Sequence, residues 1–295
     1  MAISRMRFKA DTNGTFYIDL ARSLSLQERK LHRQKMIYTV YGGFFVDSQG
    51  NRIDINTAPM TWVTKRAVNR GFAMWRKMTA RTLQDAGASS KSKYRDFKIY
   101  LNSAMTANEL LPKDASDALL YTGGAPEWDY STLISDDPDA GAQPGDPSGF
   151  ELAIVGPHQG SNPNWTRIGL VQSWINSRPS PEADQPENMP DVNDPLMNLF
   201  DASDALDDRL NIINAENDGT PYAELYTFGN ANPSSGADNN LQRVSVAQPT
   251  PLQQPVAAIH GFQALCGLVQ IVVGTGTSAN QWELVLDVET KGEAF

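Results

Sequence analysis

Six cations recur on one side of the segment from Trp62 to Leu83, whose periodicity predicts an amphipathic helix. At about 100° per residue, all six fall within an arc of roughly 160°, and apolar side chains occupy the opposite arc. A row of cations with this spacing suits a polyanion, because each Lys or Arg that meets a phosphate releases condensed counterions. The candidate phosphate-binding residues of the helix are Lys65, Arg66, Arg70, Arg76, Lys77 and Arg81.

Positive charge continues after this helix with Lys91, Lys93 and Arg95, and aromatic residues are interleaved among them. Clustered cations with nearby aromatic rings are typical of proteins that bind nucleic acid without reading its sequence. The sequence has no zinc-finger spacing, no RRM signature and no zipper below a basic region, so we expect sequence-independent binding. The alternative is that the basic helix lies against acidic loops of its own chain or of a neighbouring copy.

Charge is divided unevenly along the chain. Residues 1–100 contain 19 Lys and Arg against 7 Asp and Glu, whereas residues 101–295 contain 6 against 27. The first third therefore carries about +12 and the remainder about −21, although the formal net charge is only −9. Such asymmetry indicates a polyanionic partner on the basic side and solvent on the acidic side.

An acidic loop at 135–149 provides the one candidate cation site. Oxygen ligands from flexible loops suit a hard cation such as calcium, and the candidate ligands are Asp136, Asp137, Asp139 and Asp146. The ligand spacing of an EF-hand is absent, so a solvated acidic loop is the alternative. No nucleophile elbow, phosphate-binding loop or dinucleotide fingerprint occurs, and neither the histidines nor Cys266 have the spacing of metal ligands. We therefore expect no enzymatic activity and no organic cofactor.

The elements that would position these residues are mainly strands. Runs at 36–46 and 52–55 flank a turn cluster and predict a hairpin, while Ser25 followed by Glu28 predicts a helix over 24–35. Beyond residue 100, short apolar runs alternate with Pro, Gly and Asn clusters, which favours a sandwich or barrel. These later runs are 150–155, 166–175, 222–228, 244–247, 267–273 and 282–288, and a short helix is predicted near 194–213.

The predicted organisation is a single domain. It combines a basic N-terminal region, residues 1–100, containing the hairpin and the amphipathic helix, with an acidic β-sandwich body, residues 101–295. The single cysteine excludes an intrachain disulfide, and no signal peptide or membrane span is predicted.

Two stretches carry a family resemblance: Ile53 to Val63, which leads into the basic helix, and Gly261 to Val269 near the C-terminus. Here the chain resembles capsid proteins of small icosahedral viruses with circular single-stranded DNA genomes that encode a replication protein. The resemblance implies a single eight-stranded antiparallel jelly roll with a basic N-terminal arm or helix and short helices in long loops. Such proteins often begin with a dense basic tail, whereas here Arg5, Arg7 and Lys9 are followed by Asp11. This departure favours an ordered basic layer over a flexible arm.

The expected function is that of a capsid protein, located in the virion, that assembles with itself and packages nucleic acid on a basic inner face. Backbone neutralisation is common to DNA and RNA, so both genome types stay open. No feature of the sequence identifies a host receptor. The alternatives are a tail or minor coat component, and a carbohydrate-binding β-sandwich in which Trp128, Trp165, Trp174 and Trp282 stack on sugars.

Overall fold

A computed structural model describes most of the chain and divides it into two compact units. The described residues are 3–86, 96–120, 128–136, 147–161, 164–176, 241–250, 255–274 and 279–289. Unit 1 comprises Met1–Pro59, Asp96–Asp129 and Leu241–Phe295, and unit 2 comprises Met60–Arg95 and Tyr130–Asn240. Both units draw on residues from either side of position 100, where the sequence-based division was placed.

Unit 1 is mainly β. Its described strands are β1 (Ile3–Thr12), β2 (Gly14–Asp19), β3 (Ile37–Asp47), β4 (Ile53–Thr57), β9 (Gln242–Ala247), β10 (Val256–Leu265), β11 (Leu268–Val273) and β12 (Ala279–Glu289). They form two four-stranded sheets, ordered β1-β12-β3-β10 and β2-β11-β4-β9, and every pairing within them is antiparallel. The mainly-β prediction is confirmed, and the two sheets are compatible with a sandwich.

The pairing of these strands is nested. The first strand pairs with the last, β1 with β12, and the same rule gives β2 with β11, β3 with β10 and β4 with β9. Two further pairings, β12 with β3 and β11 with β4, join these ribbons into sheets. Successive pairs of the ribbon therefore alternate between the two sheets.

One hydrophobic core is shared by both sheets. Along β1, Met6, Phe8 and Ala10 are buried, and they alternate with cations that face outward. Trp282 on β12 is buried, and its ring lies 5.4 Å from that of Phe16 on β2, centroid to centroid. Because these two rings belong to different sheets, their contact joins the two layers of the core.

The predicted helix at 24–35 forms earlier in the chain, as α1 (Leu20–Glu28). Asp19 caps it, because its Oδ1 accepts a 3.0 Å hydrogen bond from the backbone N–H of Arg22. The helix ends where Arg29 adopts a left-handed φ of 53°. The capping role predicted for Ser25 is wrong: its hydroxyl donates to the carbonyl of Ala21 and accepts from the backbone N–H of His32.

The hairpin predicted from 36–46 and 52–55 does not form, although both runs are strands. These runs correspond to β3 and β4, which belong to different sheets. The turn between them, where Asp47 accepts from the backbone N–H groups of Gln49 and Asn51, therefore connects the two layers instead of pairing its flanking strands.

Unit 2 contains α2 (Trp62–Ala86), α3 (Leu170–Asn176) and a sheet ordered β5-β6-β8-β7. Its strands are β5 (Thr132–Asp136), β6 (Pro147–Ala153), β7 (Gln159–Ser161) and β8 (Asn164–Gly169). The run predicted at 166–175 is thus divided between β8 and α3. The chain passes from strand to helix after Gly169, where a Cβ would lie only 2.0 Å from the carbonyl oxygen of Gly156. The strand predicted at 222–228 and the helix predicted at 194–213 lie outside the described residues. In the described part of the chain, no helix combines the length and apolar character that crossing a bilayer requires.

Candidate nucleic-acid interface

The basic helix predicted from Trp62 to Leu83 is present as α2, which extends to Ala86. The hydroxyl of Thr61 accepts a 3.2 Å hydrogen bond from the backbone N–H of Thr64, and this cap fixes where the helix begins. With 1.5 Å per residue, the row of cations between Lys65 and Lys77 extends for about 18 Å. The helix therefore holds its charges along a line instead of a single point.

The apolar side of α2 is packed as its spacing predicted. Ala67, Val68 and Met74 are buried, and α2 packs on α3. Gly71 makes this approach close, since a Cβ there would lie 2.8 Å from Cδ2 of Leu170. This packing holds the opposite, basic side of the helix in a set orientation within unit 2.

The basic side of α2 carries its charges at different exposures. Arg66, Arg76 and Lys77 are exposed, whereas Lys65 and Arg70 are partly buried. The Arg70 guanidinium lies 5.0 Å from the ring centroid of Trp174 on α3, a cation–π contact. Lys65, Arg66, Arg76 and Lys77 form no ion pair with any residue that the structure describes. Arg81 lies on α2, its side chain outside the described part, and Lys91, Lys93 and Arg95 are also outside it.

The N-terminal cations, in contrast, are neutralised inside unit 1. Arg5 donates two hydrogen bonds to Asp287, at 2.7 Å from Nε to Oδ1 and 2.8 Å from Nη2 to Oδ2. Arg7 pairs with Glu283 at 2.7 Å and with Asp117 at 2.6 Å, and Lys9 also pairs with Asp117. Hydrogen bonding from Lys9 and Arg7 holds the pKa of Asp117 below its ordinary value.

Unit 1 therefore brings together opposite charges that lie far apart in the sequence. The basic residues of β1 face acids that lie far along the chain, on β12 and near position 117. Lys98 does not contribute to a basic surface either, because it is buried. Its ammonium lies 4.6 Å from the ring centroid of Trp128, and burial lowers its pKa. Lys65, Arg66, Arg76 and Lys77, in contrast, share α2 and have no ion-pair partner among the described residues.

Trp62 is a residue of this surface that the sequence analysis treated only as the start of the helix. It is 49% exposed, and at about 100° per residue it falls inside the basic arc, between Arg76 and Arg66. Its ring meets that of Trp174 edge to face at 6.0 Å, and the Arg66 guanidinium lies 5.7 Å from its centroid. The position of Trp62 within the basic arc of the predicted helix was the sequence signal that could have identified it as part of this surface.

Comparisons with models of known protein families, with curated proteins and with solved structures found no match. The function is therefore argued from the strand order and from the chemistry of the α2 surface.

The candidate calcium ligands fall almost wholly outside the described residues. Asp136 ends β5, but its side chain is not described, and neither are Asp137, Asp139 and Asp146. Among the residues that are described, no cluster of three or more His, Cys, Asp or Glu could hold a metal ion. The calcium site stays a prediction.

Two of the three histidines and the four tryptophans of the carbohydrate alternative have structural contacts, whereas His260 is exposed on β10. His32 is buried and pairs with Glu28 at 2.9 Å, and Nδ1 of His158 accepts a 3.2 Å hydrogen bond from the backbone of Gly169. Among the tryptophans, Trp282 is in the core and Trp128 packs against it, whereas Trp165 and Trp174 are half-buried in unit 2. The four indoles therefore differ in accessibility, and they are divided between the two units.

Proposed function

We propose that this protein is a viral capsid protein, built on a jelly roll, that assembles into a closed shell and packages nucleic acid against the basic face of α2. The nested strand pairing of unit 1 is the observation that carries the proposal. A jelly roll arises when a long antiparallel ribbon is wrapped so that its successive strand pairs alternate between two sheets. Pairing β1 with β12, β2 with β11, β3 with β10 and β4 with β9 agrees with that description.

Strand order alone leaves several functions open, because jelly rolls occur in viral capsids, lectins and cupins. The α2 surface favours the first of these. Four cations with no described ion-pair partner share one helix face, and neutralising the phosphate backbone is the function that clustered charge of this kind performs. A lectin requires no such surface.

Assembly between copies is supported by apolar side chains at the outer strands of the two unit 1 sheets. Of the seven large hydrophobic side chains that are exposed in the described part of the chain, three lie on edge strands of these sheets: Ile3 on β1, Val246 on β9 and Val256 on β10. Contacts that covered these side chains would remove apolar surface from water and satisfy strand edges, both of which favour association.

The test is to purify the expressed protein and examine it by light scattering and negative-stain microscopy. The ratio of absorbance at 260 and 280 nm is recorded before and after nuclease treatment. We expect uniform closed particles containing nuclease-protected nucleic acid. A monomer or small ring free of nucleic acid would overturn the proposal and favour a tail or minor coat component.

The variant Lys65→Glu/Arg66→Glu/Arg76→Glu/Lys77→Glu tests the packaging surface. We expect it to fold, as measured by circular dichroism, and to lose most of the protected nucleic acid. Packaging at the wild-type level would show that the α2 face does not contact the genome, even if shells form.

A further inference from the structure

We propose that Trp62 is a base-stacking residue, so that the α2 surface binds single-stranded nucleic acid in preference to a duplex. This inference rests on the proposed nucleic-acid function of the same surface and names the form of nucleic acid that it takes. It begins from the position of Trp62, since this tryptophan lies on the charged side of an amphipathic helix and is half exposed.

The position of Trp62 is unusual for a residue that serves only the core. Core packing places large apolar side chains on the side of a helix opposite to its charges, as α2 does with Val68 and Met74. Of the large hydrophobic side chains of α2 whose burial is described, Trp62 alone is exposed. An indole face beside several cations is the combination that proteins use to bind unpaired bases and their phosphates together.

The surroundings of Trp62 hold its ring in place before any ligand arrives. Trp174 meets it edge to face at an interplanar angle of 78°, and Trp174 is itself covered by the Arg70 guanidinium at 5.0 Å. A ring that is already oriented loses little conformational entropy when a base stacks on it. The guanidinium of Arg66, one turn further along α2, lies over the Trp62 ring at 5.7 Å from its centroid and so places a positive charge against the indole.

A duplex cannot stack its bases on Trp62. Its bases already stack on one another, so it offers the surface only its phosphates, whereas a single strand offers phosphates and free base faces. Trp62 should therefore favour a single strand over a duplex, because only the single strand has free base faces. The cations should bind the phosphates of both.

The experiment measures binding of the full chain, freed of copurified nucleic acid by nuclease and high salt, to three fluorescent probes. These are a 15-nucleotide single strand, an abasic strand with the same number of phosphates, and a duplex of the same sequence. We expect the base-bearing strand to bind at least about fivefold more tightly than the abasic strand. Trp62→Ala should remove most of that difference, and Trp62→Phe should retain much of it. Tyr41→Ala is the control, because Tyr41 is 50% exposed but lies on β3 in unit 1.

The outcomes separate the two proposals. If no probe binds, the nucleic-acid function itself fails. If the base-bearing strand, the abasic strand and the duplex all bind equally well, the cations bind phosphate but Trp62 does not stack on bases. The wild-type comparison decides by itself whether bases contribute to binding. If the difference between the base-bearing and abasic strands persists in both Trp62→Ala and Trp62→Phe, another residue stacks on the bases and the assignment to Trp62 fails.

Discussion

The side-chain amide of Gln34 donates a 2.7 Å hydrogen bond to Oδ2 of Asp19, and both residues are buried in unit 1. The same carboxylate caps α1 and accepts a 3.2 Å hydrogen bond from the indole N–H of Trp128. Gln34 in turn accepts a 2.6 Å hydrogen bond from the backbone N–H of Ile99. One carboxyl group therefore connects α1, the segment before β3 and two segments that follow residue 95.

This buried carboxyl group should make stability depend on pH. Burial raises the pKa of Asp19 to about 6, although hydrogen bonds from Arg22, Gln34 and Trp128 oppose the shift. Because the folded pKa exceeds the unfolded value of about 3.9, the folded chain binds the proton more tightly. The stability that this group contributes is full below about pH 4 and is lost as the pH rises to about 6, a change of roughly 3 kcal/mol.

The measurement is the free energy of unfolding in urea for wild type and Asp19→Asn between pH 7 and pH 4.5. The wild-type value minus the variant value should increase by about 2 kcal/mol as the pH falls. Asp287→Asn is the control, since hydrogen bonding to Arg5 lowers the pKa of Asp287 and its difference should stay flat in this range. A flat difference for Asp19→Asn as well would contradict the predicted role of burial.

Reversing two exposed charges of α2 should weaken nucleic-acid binding more than reversing two similar charges elsewhere. Arg76→Glu/Lys77→Glu changes adjacent exposed cations of the basic face, and Arg29→Glu/Lys30→Glu changes an adjacent exposed pair at the end of α1. For single strands the slope of log affinity against log salt should shrink by about 0.7 for each phosphate that the variant no longer neutralises. With two such phosphates, we expect a decrease of about 1.4 for the α2 variant and little change for the other. If the two variants had the same slope of log affinity against log salt, the result would argue against phosphate binding by the α2 surface.

Gly43 on β3 should tolerate no side chain. A Cβ there would lie 2.0 Å from the carbonyl oxygen of Val285, which is backbone of the paired strand β12 and cannot rotate away. Gly43→Ala should lower the free energy of unfolding by about 3 kcal/mol. Gly149→Ala is a matched strand control, because the atom nearest to its Cβ would be a side-chain carbon, Cγ2 of Thr132, at 3.3 Å. Chemical denaturation of the two variants measures this difference, and similar decreases would show that the sheet adjusts at Gly43.

The thiol of Cys266 should be inert in the folded protein. Cys266 is fully buried in the turn between β10 and β11, and burial raises its pKa, so little thiolate is present near pH 8. A thiol reagent should modify one equivalent per chain in denaturant and almost none without it. Rapid modification of the native protein would indicate that this turn opens readily.

The sequence predicted well those features that depend on local spacing. The 3.6-residue period identified α2 and its two faces, because a helix pairs each residue with others one turn away. Pairing between strands depends instead on residues far apart, so β3 and β4 were recognised as strands while their hairpin was predicted wrongly. The same limit concealed the contacts of Arg5 and Arg7, whose carboxylate partners on β12 lie some 280 positions along the chain.

Other errors came from single residues whose effect is not periodic. Ser25 has the spacing of a capping box, yet Asp19 caps α1 because its carboxylate is held in place by Gln34 and Trp128. The apolar run at 166–175 predicted a single strand, because no periodicity shows that Gly169 must lie against the backbone of Gly156.

The nested pairing of unit 1 also determines how long β1 remains without its partner strand during synthesis. A strand pairs only after its partner has been made, and β1 ends at Thr12 whereas β12 begins at Ala279. At roughly 5 to 20 residues per second, a ribosome needs about 13 to 53 s to make the chain between them. During that interval β1 has no native neighbour within its sheet, and an unpaired strand is open to other nascent chains. We therefore expect the yield of native protein to depend on how β1 is protected during synthesis as well as on the stability of the finished fold.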